Sequence, residues 1–236
     1  FVCLCDNDNQ GIAKVPAALG NGRDPAGNLY WGAMYGLKTF LRRSGDWQTV
    51  EIVRADAVPA VLDRACFRAD AAGPEPLYVL AEAYDGLAMR QALTDFLTAA
   101  AGALNRAADL RHGQATRRLD VGGRADVVCF VGHNGPMEIQ LPDPPRRRGP
   151  AGPQAAVVLA CRSRPYFAEP LARAGCEPLI TTAGLMAPEA YTLDAVLRAW
   201  AAGASPQEVH EQAAAAYARY QKCSLPAARR LFVAGP

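Results

Sequence analysis

Two stretches decide the fold class of this 236-residue chain: Ala125-Asp-Val-Val-Cys-Phe-Val-Gly-His133-Asn-Gly135 and Ala155-Ala-Val-Val-Leu-Ala-Cys161-Arg-Ser163. Each holds a short unbroken apolar run, Val127–Val131 and Ala156–Ala160, that empties into a polar turn. Such runs are the pattern of strands covered on both faces, because neither set of alternating side chains meets water. Strands of this kind belong to parallel sheets sandwiched between helices, and the rest of the chain supplies those helices.

Upstream, Phe1–Cys5 reads as the first strand, Thr49–Val53 as the second and Leu77–Ala81 as the third. Tyr30, Met34, Leu37 and Leu41 fall at helical spacing with Asn28 placed to cap them, and Gly32 and Gly36 share a face that can approach the sheet closely. Met89, Leu93, Phe96, Leu97 and Ala100 mark a second long helix with Asp85 as its N-cap. Downstream, Leu179–Thr182 reads as the last strand, and Leu193, Val196, Leu197 and Trp200 form an amphipathic helix closed by Gly203. Ser205-Pro-Gln-Glu208 is a capping box with proline at the first helical position, and it opens a helix whose stripe is Val209, Ala213, Ala216 and Tyr220. Two long loops remain. Asp6–Asn28 is a 23-residue polar connection, and Leu141–Gln154 holds five prolines around Arg146-Arg-Arg148, so it is expected to be exposed. No repeat or composition break divides the chain. The expectation is one α/β domain over 1–236, three layers deep, with a mostly parallel central sheet.

Composition narrows the function. Lys and Arg total 25 against 23 Asp and Glu, a net charge of +2, which argues against a chain built to coat nucleic acid. The apolar runs are far shorter than the roughly 18 residues needed to span a bilayer, so no membrane span is expected. Twenty-two of the basic residues are Arg and only 3 are Lys, the coding bias of a GC-rich genome. The seven cysteines are odd in number and form no CxxC pair, which favours a reducing, cytoplasmic compartment; the first residue is Phe rather than Met, so a removed leader stays open. No GxxxxGK[ST], GxGxxG or GxSxG occurs, which removes a phosphate loop and a nucleotide- or flavin-binding glycine turn, and with them any expected cofactor. Asp6-Asn-Asp8-Asn-Gln10-Gly11 begins like a calcium loop, but Ala17 stands where a bidentate Glu is needed, so no metal is expected.

The chemistry left is at two strand ends. Ligands in open α/β sheets bind beyond the carboxyl ends of the strands, and there His133 and Cys161 arrive together if their strands are parallel neighbours. An imidazole beside a thiol favours the thiolate, the reactive nucleophile. His112 is expected at a polar helix end with no strand leading in, and His210 lies one position from the helical stripe, toward solvent. Cys3, Cys5 and Cys129 sit on strands as core residues, whereas Cys66, Cys176 and Cys223 fall near helix ends or loops, where exposure is expected.

With these residues in place, the chain resembles the caspase-fold cysteine peptidases, among them the bacterial CHAT-type domains. Ala160-Cys161-Arg162-Ser163 is similar to the family's Cys block and Phe130-Val-Gly-His133 to its His block. Asn28-Leu-Tyr-Trp-Gly-Ala33 resembles the family's first helix, and the tail from Leu179 through Tyr217 resembles the CHAT-type ending. The resemblance implies a caspase-like domain and peptide-bond hydrolysis by a His133–Cys161 dyad on a peptide or protein substrate. Oxyanion donors would come from backbone N–H groups near Asn134, Gly135 and Cys161. Asp6 and Asp8, past the first strand, would line a pocket for a basic side chain or form a solvated turn. The family carries Gly directly after the His; here Asn134 intervenes, and Arg162, Arg164 and Pro165 crowd the Cys. A catalytically inactive binding or regulatory module on the same fold is therefore the alternative.

Overall fold

The structure is a computed structural model that describes residues 1–70, 75–141, 143–147 and 155–235. In chain order its elements are β1 (Val2–Cys3), α1 (Leu37–Arg43), β2 (Gln48–Val50), β3 (Ile52–Ala55), β4 (Val61–Ala69), β5 (Leu77–Tyr84), α2 (Met89–Ala100), β6 (Asn105–His112), β7 (Ala115–Gly122), β8 (Val127–Val131), β9 (Ala155–Leu159), α3 (Arg164–Ala174), β10 (Glu177–Thr182), α4 (Ala190–Ala201), α5 (Pro206–Gln221), α6 (Leu225–Leu231) and β11 (Phe232–Ala234). Eight strands form one sheet in the order β11-β10-β9-β8-β1-β5-β4-β2. The run β10-β9-β8-β1-β5 is parallel, while β11, β4 and β2 each pair antiparallel with their neighbours. A second, antiparallel sheet has the order β3-β6-β7.

All five residues of β9 are buried, and their alternation divides them between two cores. Val157 and Leu159 face a core that includes Leu37 and Leu41 of α1, Leu193 and Val196 of α4, and Val209 and Ala213 of α5. Ala156 and Val158 face the opposite core, with Phe96 of α2 and Phe167 and Leu171 of α3. Helices therefore lie on both faces of a mostly parallel sheet, the three-layer α/β/α arrangement expected. Each large side chain so buried contributes about 1.5–3 kcal/mol, which is why these runs carry no polar residue. Among the described residues no helix is long and apolar enough to cross a membrane.

Several expected elements stand where the sequence places them. Asp85 accepts from the Leu87 N–H at 2.9 Å and caps a single 3-10 turn that leads into α2. Ser205 and Glu208 complete their reciprocal capping box, and Gly203 takes the left-handed φ of +75° just past α4.

Others are corrected. The first helix begins at Leu37, not near Tyr30. Asn28 caps no helix; its side chain accepts from Cys5 N–H at 3.0 Å and donates to the carbonyls of Cys5 at 2.8 Å and Asn21 at 2.9 Å. An amide, which both donates and accepts, thereby ties the end of the long first loop to the end of β1. Gly32 and Gly36 approach their own turn rather than the sheet, since a Cβ there would collide with backbone of Ala26 and Trp31. The expected strand Thr49–Val53 is split at Glu51 between β2 in the large sheet and β3 in the small one. Leu179–Thr182 lies in β10, but β11 follows it as the last strand. His210 does not point to solvent: its Nε2 lies 3.0 and 3.1 Å from the carbonyls of Arg229 and Phe232. Cys66 and Cys176 are buried, not exposed. Of the Pro/Arg-rich loop, 143–147 has no regular structure, and residues 142 and 148–154 lie outside the described residues.

A buried ion network fixes the small sheet to the large one. Arg106 of β6 donates to Glu82 and to the Tyr84 hydroxyl, both at 2.7 Å, and to the Asp95 carboxylate of α2. Glu82 is also held by Arg64 at 2.9 Å. Desolvation makes such clusters poor sources of net stability, but their directional bonds specify one docking geometry.

Candidate active site at the carboxyl edge of β8 and β9

The strands β8 and β9 are parallel neighbours, with Val127 opposite Ala155 and Val131 opposite Leu159. The Gly132 N–H continues the ladder by donating to Leu159 carbonyl at 3.2 Å. His133 lies two residues past Val131 and Cys161 two past Leu159, so both follow the last pair of the ladder at the same sheet edge. Glycine suits position 132, whose φ is +156° and where a Cβ would stand 3.0 Å from the Cys3 carbonyl oxygen.

The turn after Cys161 is pinned from several sides. Asn134, wholly buried, donates its side-chain N–H groups to the carbonyls of Cys161 at 2.7 Å and Arg162 at 3.2 Å. Arg162 adopts φ of +47°, a left-handed conformation unfavourable for a residue with a Cβ, and its N–H donates to Gly184 carbonyl at 2.8 Å. Ser163 and Thr182 exchange bonds, Ser163 N–H to Thr182 Oγ1 at 3.0 Å and Thr182 N–H to Ser163 Oγ at 2.9 Å. These bonds hold a strained turn beside the thiol, a placement common at functional sites.

Cys161 is half-buried. Its Sγ accepts from Met186 N–H at 3.3 Å and lies 3.4 Å from Met186 carbonyl, to which the thiol donates. Next to Met186 the side chain of Leu185 is exposed, and Tyr217 hydroxyl accepts from Ala187 N–H at 3.1 Å, fixing this segment from behind. Five of the remaining cysteines have raised thiols. Burial pushes the thiols of Cys66 and Cys129 up to about 12 and that of Cys176 to about 11, and it raises Cys3 and Cys5 as well. Cys223 is exposed.

His133 is buried, and its Nε2 lies 2.8 Å from Glu138 Oε1. The other carboxylate oxygen of Glu138 accepts from Gly11 N–H at 3.1 Å. Gly135 N–H, expected as an oxyanion donor, donates to His133 carbonyl at 3.0 Å just ahead of a single 3-10 turn over Gly135–Met137. The Asn134 side chain, which is not among the expected backbone donors, is engaged by the Cys161 turn. Asp6 is buried and its carboxylate organises its own turn, accepting from the N–H groups of Asp8 at 3.0 Å and Asn9 at 3.2 Å and from Asn9 side chain at 2.8 Å. Asp8 is exposed, and both aspartates line a cavity of about 810 Å³ with Lys14 and Arg23. A second cavity of about 790 Å³ lies at the other end of the sheet, between the starts of β5 and β8. Neither His133 nor Cys161 lines either cavity.

Sequence reasoning found His133, Asn134 and Cys161 from their strand ends, but missed Glu138, Gly11 and Met186. Glu138 stands five residues after His133, a spacing with no helical or strand periodicity, while Gly11 and Met186 come from distant loops. No protein-family model, no curated protein and no solved structure matches the chain.

Proposed function

We propose that the chain is a cysteine peptidase of the caspase-like kind, resembling the CHAT-type domains, in which His133 and Cys161 form the catalytic dyad. The observation that supports this reading is the register of β8 and β9, parallel neighbours whose last pair, Val131 opposite Leu159, stands two residues before His133 and Cys161. In the reaction His133 takes the Cys161 proton and the thiolate adds to the peptide carbonyl. Collapse of the tetrahedral adduct breaks the C–N bond as His133 protonates the leaving amine. Water, deprotonated by His133, then hydrolyses the thioester and returns the thiol. The seven free cysteines fit a reducing, cytoplasmic setting for this chemistry.

One observation favours the non-catalytic alternative. The Gly135 N–H, one of the expected oxyanion donors, is engaged by the His133 carbonyl inside the protein. The two readings separate by labelling with an electrophilic peptide probe that reacts with active thiols. The peptidase reading expects labelling of the wild type that is lost in Cys161→Ala and reduced at least a hundredfold in His133→Ala. Equal labelling of wild type and His133→Ala rejects the dyad.

A further inference from the structure

His133 alone does not determine which ring nitrogen is the base. The neutral imidazole carries one N–H, and a dyad works only when the nitrogen facing the thiol is the bare one. The group bonded to the other nitrogen makes that choice. At His133 this group is a carboxylate, which can only accept, 2.8 Å from Nε2. Nε2 therefore carries the hydrogen, and Nδ1 keeps the lone pair.

The carboxylate is itself held. Its Oε1 meets the imidazole and its Oε2 takes the Gly11 N–H, so a loop following β1 fixes the group that fixes the ring. Position 11 has room for nothing but glycine as long as Glu138 stays where it is, because a Cβ would overlap the carboxylate. The reach from His133 to Glu138 is set by the 3-10 turn between them, closed by Glu138 N–H to Gly135 carbonyl at 2.8 Å and Ile139 N–H to the same oxygen at 2.9 Å. That turn is seated on α2, where Gly135 packs so closely on Met89 and Leu93 that a side chain would not fit. Three separate elements thus converge on one imidazole orientation.

We infer that Glu138, held by Gly11, is the positioning residue of His133, fixing the Nε2–H tautomer and leaving Nδ1 to take the Cys161 proton. This rests on the peptidase reading above. The logic is that of a triad, with the third group orienting the base and stabilising the imidazolium once it forms.

Two variants test it by different physical routes. Glu138→Ala removes the acceptor at a partly exposed position, where the fold tolerates truncation. Gly11→Ala leaves every charge in place but displaces the carboxylate tip. The ¹⁵N shifts of the His133 ring report which nitrogen bears the proton, and limiting iodoacetamide reports the reactivity of Cys161 with Cys223 as the internal reference. In wild type, neutral His133 shows a protonated Nε2 and a bare Nδ1. Both variants should weaken that preference toward the mild Nε2–H excess of a free histidine side chain and slow Cys161 alkylation about tenfold, the effect of losing one charge-assisted hydrogen bond, with Cys223 unchanged. A ring spectrum unchanged in Glu138→Ala overturns the inference. So does an unchanged Cys161 rate in Glu138→Ala when His133→Ala abolishes that reactivity. A Cys161 rate indifferent to His133→Ala instead overturns the peptidase reading, and the positioning role falls with it.

Discussion

Replacing Asn134 separates what its side chain does from the space it fills. Its Nδ2 donates to two carbonyls, at 2.7 Å to Cys161 and 3.2 Å to Arg162, while its Oδ1 is buried with no hydrogen-bond partner among the described residues. Asn134→Ala leaves the carbonyls short of a donor, at about 1–3 kcal/mol for a buried unsatisfied group. The Arg162 carbonyl belongs to an exposed residue and can be rehydrated, so the Cys161 carbonyl carries most of that cost. Truncation also removes the orphan Oδ1, which offsets part of the loss, and the net comes to about 1.5 kcal/mol. For a domain of this length that lowers Tm by roughly 3–6 °C. Asn134→Asp keeps the shape but turns the donor into an acceptor, aiming a buried carboxylate at two carbonyl oxygens. Its cost is about 4 kcal/mol or more, a fall of roughly 8–16 °C. The decisive quantity is the order: the near-isosteric variant is less stable than the truncation. Thermal unfolding followed by circular dichroism at neutral pH measures it. An Asp variant at least as stable as the Ala variant would show that the amide does not clamp the Cys161 turn.

Two further perturbations probe the frame around the site. Phe130 is wholly buried, with ring centroids 5.8 Å from Phe96 and 6.0 Å from Phe167, so Phe130→Ala should cost about 3–5 kcal/mol in urea unfolding; a loss under 1 kcal/mol would mean that this core collapses around the cavity. Burial works against ionisation of Asp63, but the Lys38 ammonium and the Trp31 indole N–H, each 2.7 Å away, outweigh it and hold the carboxyl below its ordinary range. A depressed folded-state value gives stability that is present above the unfolded aspartate range and lost as pH falls through it and below. The pair is partly exposed, so Asp63→Asn should remove less than about 1 kcal/mol at neutral pH and flatten the acid limb of the stability curve; an acid limb parallel to wild type rejects the account.

Some elements were legible because a single local rule governed them. The runs in β8 and β9 are apolar at every position since two cores take their alternate side chains, and α5 announces itself by a capping box that needs only four residues. Other elements obey partners far away. The strand β4 reads Val-Leu-Asp-Arg-Ala-Cys-Phe-Arg-Ala, and its charges obscure the pattern; in the structure Asp63 meets Lys38 and Arg64 meets Glu82. The strand β7 has a largely exposed face, so it shows no hydrophobic signature. The helical spacing from Tyr30 to Leu41 is real, yet only its second half is helix. Asn28 is drawn to β1, and Gly32 and Gly36 permit tight turns that an α-helix does not contain.

At the site the same division holds. Local pattern suffices to show two apolar strands that run out toward His133 and Cys161, because backbone direction and side-chain alternation follow from pattern and burial. Only long-range packing settles that the strands adjoin in register, that Asn134 clamps the Cys161 turn, and that Glu138 bridges His133 and Gly11. Each of those contacts joins loops separated by tens of residues or, for Glu138, by an aperiodic turn. Hydrogen bonds of that kind depend on where the sheet and helices bring the loops, and no spacing along the chain encodes that distance.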